Sequence, residues 1–297
     1  MRLAFLGTPT PAVVCLGALV GAGHEVCVVI TRPDRRRGRG AALVPSPVAA
    51  AAADLGLDVR HELGALDEFE VELGVVVAYG AIIPPRVLER VPMLNVHFSL
   101  LPRWRGAAPV ARAILAGDEE TGVGIMSLEE GLDTGPVHAE ARVSIRDQTL
   151  SELTDELARL GADLLVEVLS DPARRASPRA QRGEVTYAAK LGAADYVISP
   201  EQSTLAAWRV ARLERSRVRI GGRTVRVVRA RVRDASGPPG TVRRASDGLL
   251  LNCADGALSL ERLQPDSGRA MDALSWWAGA RLSEPTRWEG LMSGAKQ

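Results

Sequence analysis

The chain has 297 residues, 46% hydrophobic, 25% charged and 4% aromatic, which is long enough for one large or two ordinary domains and too apolar for a disordered chain. Its formal net charge of +1 argues against a strong pull on polyanions, but residues 1–200 hold 20 basic and 26 acidic side chains while residues 201–297 hold 17 and 10. The cysteines Cys15, Cys27 and Cys253 lie too far apart for a zinc site or a disulfide framework, which fits a reducing, cytoplasmic setting and no resident metal.

Residues 1–23 carry one arginine and a small apolar run like a secretory leader, but Pro9 and Pro11 interrupt it, so a mature strand, turn and helix are expected. Residues 3–6 read as a strand, 11–22 as a helix stopped by Gly23, and 25–30 as a second strand, a βαβ opening. Ser46 and Pro47 start an alanine-rich helix that ends at Gly56. The wholly apolar 73–78 reads as a central strand, Pro84-Pro85 as a helix start, 94–99 as a strand, 107–116 as a helix and 121–128 as a strand. Thr149 and Glu152 form a capping box before a long periodic helix. No run approaches the ~18 uninterrupted apolar residues of a membrane-spanning helix.

This alternation predicts an α/β fold with an N-terminal Rossmann-like, doubly wound and mostly parallel sheet. Residues 171–204, with Pro172, Pro178 and Pro200, read as a connection. After a helix near 202–214, β runs around Gly221-Gly222 and turns at Asp247-Gly248 and Asp255-Gly256 predict a small antiparallel, OB-like β-barrel. The expected division is a catalytic domain over 1–182, a linker over 183–204 and a C-terminal barrel over 205–297.

The first strand-to-helix turn has one glycine where a dinucleotide fingerprint needs three, and no phosphate loop with Lys-Ser or Lys-Thr is present. The informative segment is LNVHFSLLPRWRGAAPV, residues 94–110, where the period of two puts Asn95, His97 and Ser99 on one face at the carboxyl end of a strand. Asp133 lies among glycines in EEGLDTGPV, residues 129–137. Alone, His97 reads as a structural histidine and Asp133 as a turn residue. Together they suit acyl transfer: the Asn95 amide donates to a developing oxyanion, His97 moves protons and Asp133 favours the imidazolium. Without a GxSxG elbow, direct transfer fits better than a covalent intermediate. His24, His61 and His138 have no such context.

NVHFSLLPRWRG and GLDTGP resemble the folate-dependent formyltransferase family, as do LGTP at 6–9, TRPDRRRGRG at 31–40, VVVAYGAIIP at 75–84 and RWRGAAPV at 103–110. The likeness is strong over the first 190 residues, mainly architectural beyond them, and leans to the branch acting on methionine carried by initiator tRNA. It implies 10-formyltetrahydrofolate as donor, Asn95, His97 and Asp133 as the catalytic set, and Ser99, Leu100, Leu101 and Pro102 as the folate-binding stretch. It also implies that the loop after the second strand meets the tRNA acceptor end, with Arg39 as its functional arginine and Arg36 and Arg37 beside it. Two residues depart from the family pattern: Ala41-Ala42 stand where a basic pair is common, and Phe98 where a smaller residue is common.

The strip from Arg209 to Arg244 has 12 arginines against Glu214 and Asp234. Its alternation with apolar residues fits a half-exposed sheet, read as a backbone-binding face for tRNA through Arg217, Arg219 and Arg223. Trp104, Trp276 and Trp277 read as packing anchors. A monomer is expected, with no membrane partner. Alternatives are formyl transfer to a small amine, hydrolysis of the formyl donor, and a non-catalytic RNA-binding protein on the same scaffold.

Overall fold

The computed structural model describes residues 1–37 and 42–292. In chain order the first part runs β1 (Arg2–Gly7), α1 (Thr10–Gly21), β2 (Glu25–Ile30), β3 (Arg35–Arg37), β4 (Ala42–Val44), α2 (Pro47–Asp54), β5 (Val59–Arg60), β6 (Leu73–Val77) and α3 (Pro85–Arg90). There follow β7 (Met93–His97), β8 (Arg105–Gly106), α4 (Pro109–Ala116), β9 (Glu120–Ser127), β10 (Val137–Ser144), α5 (Leu150–Ser170), α6 (Pro172–Ala176) and β11 (Tyr187–Ala188). The remainder is α7 (Thr204–Ala211), β12 (Arg217–Ile220), β13 (Arg223–Arg233), β14 (Thr241–Ala245), β15 (Gly248–Asn252), β16 (Ala257–Pro265), β17 (Met271–Asp272), α8 (Ala273–Ala280) and β18 (Thr286–Leu291).

Contacts divide the chain into two compact units. The first comprises Met1–Val110, Glu120–Ser144 and Thr154–Ala189; the second comprises Ala111–Glu119, Ile145–Leu153 and the chain from Lys190 onward.

The first unit is built on a sheet of order β10-β9-β7-β6-β1-β2-β5. Strands β7, β6, β1, β2 and β5 are mutually parallel. The run 73–77 is buried throughout, as a strand covered on both faces must be. The chain proceeds from β1 outward to β2 and β5, then returns to the other side of β1 with β6 and β7, so the topological switch point falls between β1 and β6. The local signals act as expected: Ser46 Oγ accepts from the Ala49 amide at the start of α2, and the Glu152 carboxylate accepts from the Thr149 amide as α5 begins.

Three features differ from the sequence reading. Strand β10 joins the sheet antiparallel to β9, which is itself antiparallel to β7, because residues 128–136 return as a loop instead of a crossover helix. Strand β7 ends at His97, so Ser99 stands beyond it and shares no strand face with Asn95 and His97. Residues 31–40, read as a loop, contain β3, which pairs antiparallel with β4.

The second unit is a closed antiparallel barrel of β13, β12, β18, β14, β15 and β16, with β17 added on β16 and the ring closed by the β13–β16 pairing. Gly221 and Gly222 join β12 to β13 with φ of 54° and 80°, the two positive angles of a type I′ hairpin turn. Trp276, Trp277 and Trp288 fill the core with Val218, Ile220, Leu249, Leu258 and Leu263. The polar edges of two tryptophans are satisfied by main-chain carbonyls, Trp208 Nε1 donating to Ala230 at 3.0 Å and Trp288 Nε1 to Asn252 at 3.1 Å. No helix of the described residues is long and apolar enough to cross a membrane.

Candidate active site

The carboxyl ends of the parallel strands hold the expected residues. Asn95 and His97 are two apart on β7 and so project to the same side of the sheet. The half-buried Asn95 amide has no hydrogen-bond partner among the described residues, so a donor is left open at the strand end. His97 is 5% exposed. Asp133 reaches it from the loop between β9 and β10, with His97 Nδ1 and Asp133 Oδ2 3.7 Å apart. The structure therefore brings Asn95, His97 and Asp133 to one region of the sheet.

The histidine tautomer follows from its partners. Nε2 lies 3.0 Å from the Trp104 carbonyl oxygen, which accepts only, so Nε2 carries the proton and Nδ1 presents its lone pair on the Asp133 side. Burial pushes the His97 pKa below the ordinary histidine range; the Asp133 charge and the Trp104 carbonyl pull the other way without restoring it. His97 is thus a neutral base at neutral pH, with a carboxylate placed to stabilise it once protonated.

Main-chain geometry around this pair is unusual. Trp104 and Asp133 have φ of 62° and 51°, left-handed conformations that are uncommon for non-glycine residues and costlier for a bulky tryptophan than for an aspartate. The Asp133 Oδ2 atom accepts from the Gly106 amide at 2.7 Å. Gly135 fits because a methyl there would collide with the Ser127 carbonyl. Of these supports, sequence reasoning identified none: the Trp104 carbonyl and the Gly106 amide are main-chain groups, which no residue letter announces.

The stretch from Ser99 to Pro102 follows β7 directly. Ser99 is fully buried and its hydroxyl donates to the Arg103 carbonyl at 2.6 Å, so it closes the turn that carries Leu100, Leu101 and Pro102. Leu101 packs with Met126 and Val137, which fixes this turn against β9 and β10. Beside the switch point, a cavity of about 270 Å³ is lined by Thr8, Pro9, Arg32, Ser46, Tyr79 and Gly80, among others. Its position could have been foreseen from topology, since open α/β sheets bind ligands there.

Of the arginines expected at nucleic acid, Arg39 lies outside the described residues, and Arg36 and Arg37 lie on β3 opposite Leu43 and Ala42. In the barrel, Arg217 is paired with Asp266 and Arg219 with Glu289, whereas the exposed Arg223 has no ion-pair partner among the described residues. Elsewhere in the strip, Arg229 meets Asp147, Glu152 and Glu261, Arg231 meets Glu261, Arg233 meets Asp247, and Arg244 meets Glu284. The strip is therefore far less cationic than its own residues suggest. Arg215, Arg217 and Arg226, with Gln264, Pro265 and Asp266, line a cleft of about 280 Å³.

Comparison with known proteins shows the family. The family model "Formyl transferase" matches residues 1–169 and "Formyl transferase, C-terminal domain" matches residues 206–281. The chain belongs to the formyl transferase family. It is 44% identical to the methionyl-tRNA formyltransferase of Rhizorhabdus wittichii over 97% of this chain and 100% of that protein. With that of Ruegeria pomeroyi it shares 43% identity over the same shares. Among solved structures, the sugar 3N-formyl transferase WlaRD superposes with a TM-score of 0.66 at 14% identity, covering 91% of this chain and 99% of that one. HypX from Aquifex aeolicus in complex with tetrahydrofolic acid does so with 0.63 at 18% identity, covering 93% and 47%. At these identities the structural likenesses speak to the fold alone.

Proposed function

We propose that this enzyme is a methionyl-tRNA formyltransferase, moving the formyl group of 10-formyltetrahydrofolate to the α-amino group of methionine on initiator tRNA. The observation that carries the reading is the neutral His97, its Nδ1 lone pair facing Asp133 at 3.7 Å, two residues along β7 from the unpartnered amide of Asn95. Full-length relatives that are methionyl-tRNA formyltransferases support the choice of amine.

An α-amino group titrates near ~8, and esterification lowers it further, so much of the nucleophile is uncharged near neutrality. Its lone pair attacks the formyl carbon, a C–N bond forms and the carbonyl π pair moves to oxygen. The Asn95 amide donates to that oxyanion, a contact worth roughly 3 kcal/mol when made only in the transition state. The new ammonium gives a proton to His97 Nδ1, and the imidazolium then faces Asp133 while Nε2 keeps its bond to Trp104. Collapse of the intermediate breaks the bond to folate N10, which receives the proton. General acid/base help of this kind contributes about 10²- to 10⁴-fold.

In this reading the folate lies against the stretch Leu100, Leu101 and Pro102, and Ser99, fully buried, holds the turn beneath them instead of touching the ligand. Arg36, Arg37 and Arg39 meet the acceptor end of the tRNA, and Arg217, Arg219 and Arg223 meet its phosphates, the first two by exchanging a carboxylate for a phosphate. Residues 1–182 carry the chemistry and 205–297 hold the tRNA, with 183–204 between them, of which Thr186, Tyr187 and Ala188 also bond to the loop after β7; the enzyme works as a cytoplasmic monomer.

The test is incubation of purified protein with charged initiator tRNA and 10-formyltetrahydrofolate. Formylmethionyl-tRNA is the expected product. Formate release without an acceptor, or formylation of a small amine unaffected by added tRNA, overturns the assignment.

A further inference from the structure

Asp133 is held from a part of the chain that neither the motif nor the reaction chemistry includes. The Gln181 side-chain amide nitrogen donates to the main-chain carbonyls of Asp133 and Gly135, each at 2.8 Å. Its oxygen accepts from Arg105 Nε at 3.1 Å and Nη2 at 2.6 Å. Both donors and both acceptor directions of the glutamine are therefore used. Arg105 is peptide-bonded to Gly106, whose amide donates to Asp133 Oδ2 at 2.7 Å. The bonds close a ring: from the Asp133 carboxylate through Gly106 and Arg105 to Gln181, and back to the Asp133 carbonyl.

The segment carrying Gln181 is itself fastened at both ends. Arg179 exchanges two main-chain hydrogen bonds with Val137, both 2.8 Å, at the start of β10. Tyr187 and Ala188 pair in parallel with Arg105 and Gly106. The Thr186 hydroxyl accepts from the Trp104 amide at 2.9 Å, and the Thr186 carbonyl from the Arg105 amide at 2.9 Å. Residues 179–188 thus strap the loop that carries Asp133 to the loop whose Trp104 carbonyl fixes the His97 tautomer. Left-handed Asp133 and Trp104 are the two strained points of this assembly, and the strap holds both.

We propose that Gln181 is a positioning residue for formyl transfer: it sets the separation of Asp133 from His97 by clamping the Asp133 loop to Arg105. The proposal rests on the catalytic roles given above to His97 and Asp133. Gln181 touches no reacting group, so its removal acts on the proton-handling pair and not on substrate binding.

The test uses the full-length enzyme with methionyl-tRNA and 10-formyltetrahydrofolate. A loosened catalytic pair costs on the order of tenfold to 10²-fold in rate. Gln181→Ala is expected to lower kcat by that factor with both KM values within about threefold, and to move the acid limb of the kcat profile to lower pH, because a displaced Asp133 raises the His97 pKa less. Gln181→Glu keeps the acceptor for Arg105 but faces two carbonyls with a carboxylate, and is expected to be at least as slow. In Asp133→Asn the added Gln181→Ala change should cost less than about twofold, since both act through one carboxylate. A raised KM at unchanged kcat, a stationary acid limb, or full additivity with Asp133→Asn overturns the proposal. If Gln181→Ala does not fold, the acid limb and kcat of Arg105→Lys, which weakens the same clamp from its other end, decide between the outcomes. His97→Ala run in parallel separates the layers: an active His97→Ala enzyme defeats the catalytic reading, whereas an inactive one beside a fully active Gln181→Ala defeats the clamp alone.

Discussion

Replacing Asp133 with asparagine keeps an oxygen for the Gly106 amide and removes only the charge that faces His97. At 3.7 Å, and with an effective dielectric of about 20 for a site this enclosed, the attraction between an imidazolium and the carboxylate is about 4.5 kcal/mol. Each 1.4 kcal/mol is a factor of ten, so full proton transfer in the transition state would lose close to 10³-fold and half transfer about 30-fold. Single-turnover formylation of bound methionyl-tRNA, followed as formylmethionine released by mild base, should fall within those limits while both substrates bind normally. The pH profile adds a sign: the Asp133 charge raises the His97 pKa against the lowering by burial, so its loss moves the acid limb further below the ordinary histidine range. A loss under about fivefold, or an acid limb moving upward, refutes the role given to this carboxylate.

Other consequences follow from the same geometry. Gly135→Ala pushes a methyl into the Ser127 carbonyl and should destabilise the enzyme by roughly 1–3 kcal/mol in urea unfolding while slowing transfer more than it weakens substrate binding. Because the folded-state pKa of His97 is lowered, the unfolded chain binds more protons as pH falls through the histidine range, so stability drops there; in His97→Gln the fall in Tm between about pH 7.5 and 5.5 should be smaller. Arg39→Ala should raise the KM for charged tRNA and leave that for folate unchanged, as steady-state titration of each substrate would show. Arg223→Ala should reduce the log–log salt slope of tRNA binding by about one, whereas Asp266→Asn, which frees Arg217, should tighten binding at low salt. Equal slopes in the Arg223→Ala and parent enzymes would remove Arg223 from the interface.

Much of the site was legible because its chemistry is written in side chains close together in sequence. Asn95 and His97 occupy alternate positions of one strand, and glycines flank Asp133 where the chain turns. The element order was legible for a related reason: prolines, caps and glycines mark helix ends, and apolar runs mark buried strands. Ser99 was misplaced because periodicity carries no signal for where a strand stops; its hydroxyl bonds to Arg103 and ends the alternation. Gln181 was invisible because it acts on main-chain carbonyls 48 and 46 positions away, and a lone glutamine in a proline-bounded connection has no local pattern. The pairing of the arginine strip is not legible in the sequence, because its counter-charges Asp147, Glu152, Glu261, Asp266, Glu284 and Glu289 lie outside the strip and meet it only in the folded unit.

The central claim is that neutral His97 takes the proton of the attacking amine. Its most direct test is the single-turnover rate of His97→Ala on bound methionyl-tRNA across pH, with tRNA and folate binding measured alongside. A rate at least 10²-fold lower, without the acid limb of the parent enzyme and with binding intact, is the predicted result. A rate near that of the parent, or a surviving acid limb at the same pH, would contradict it.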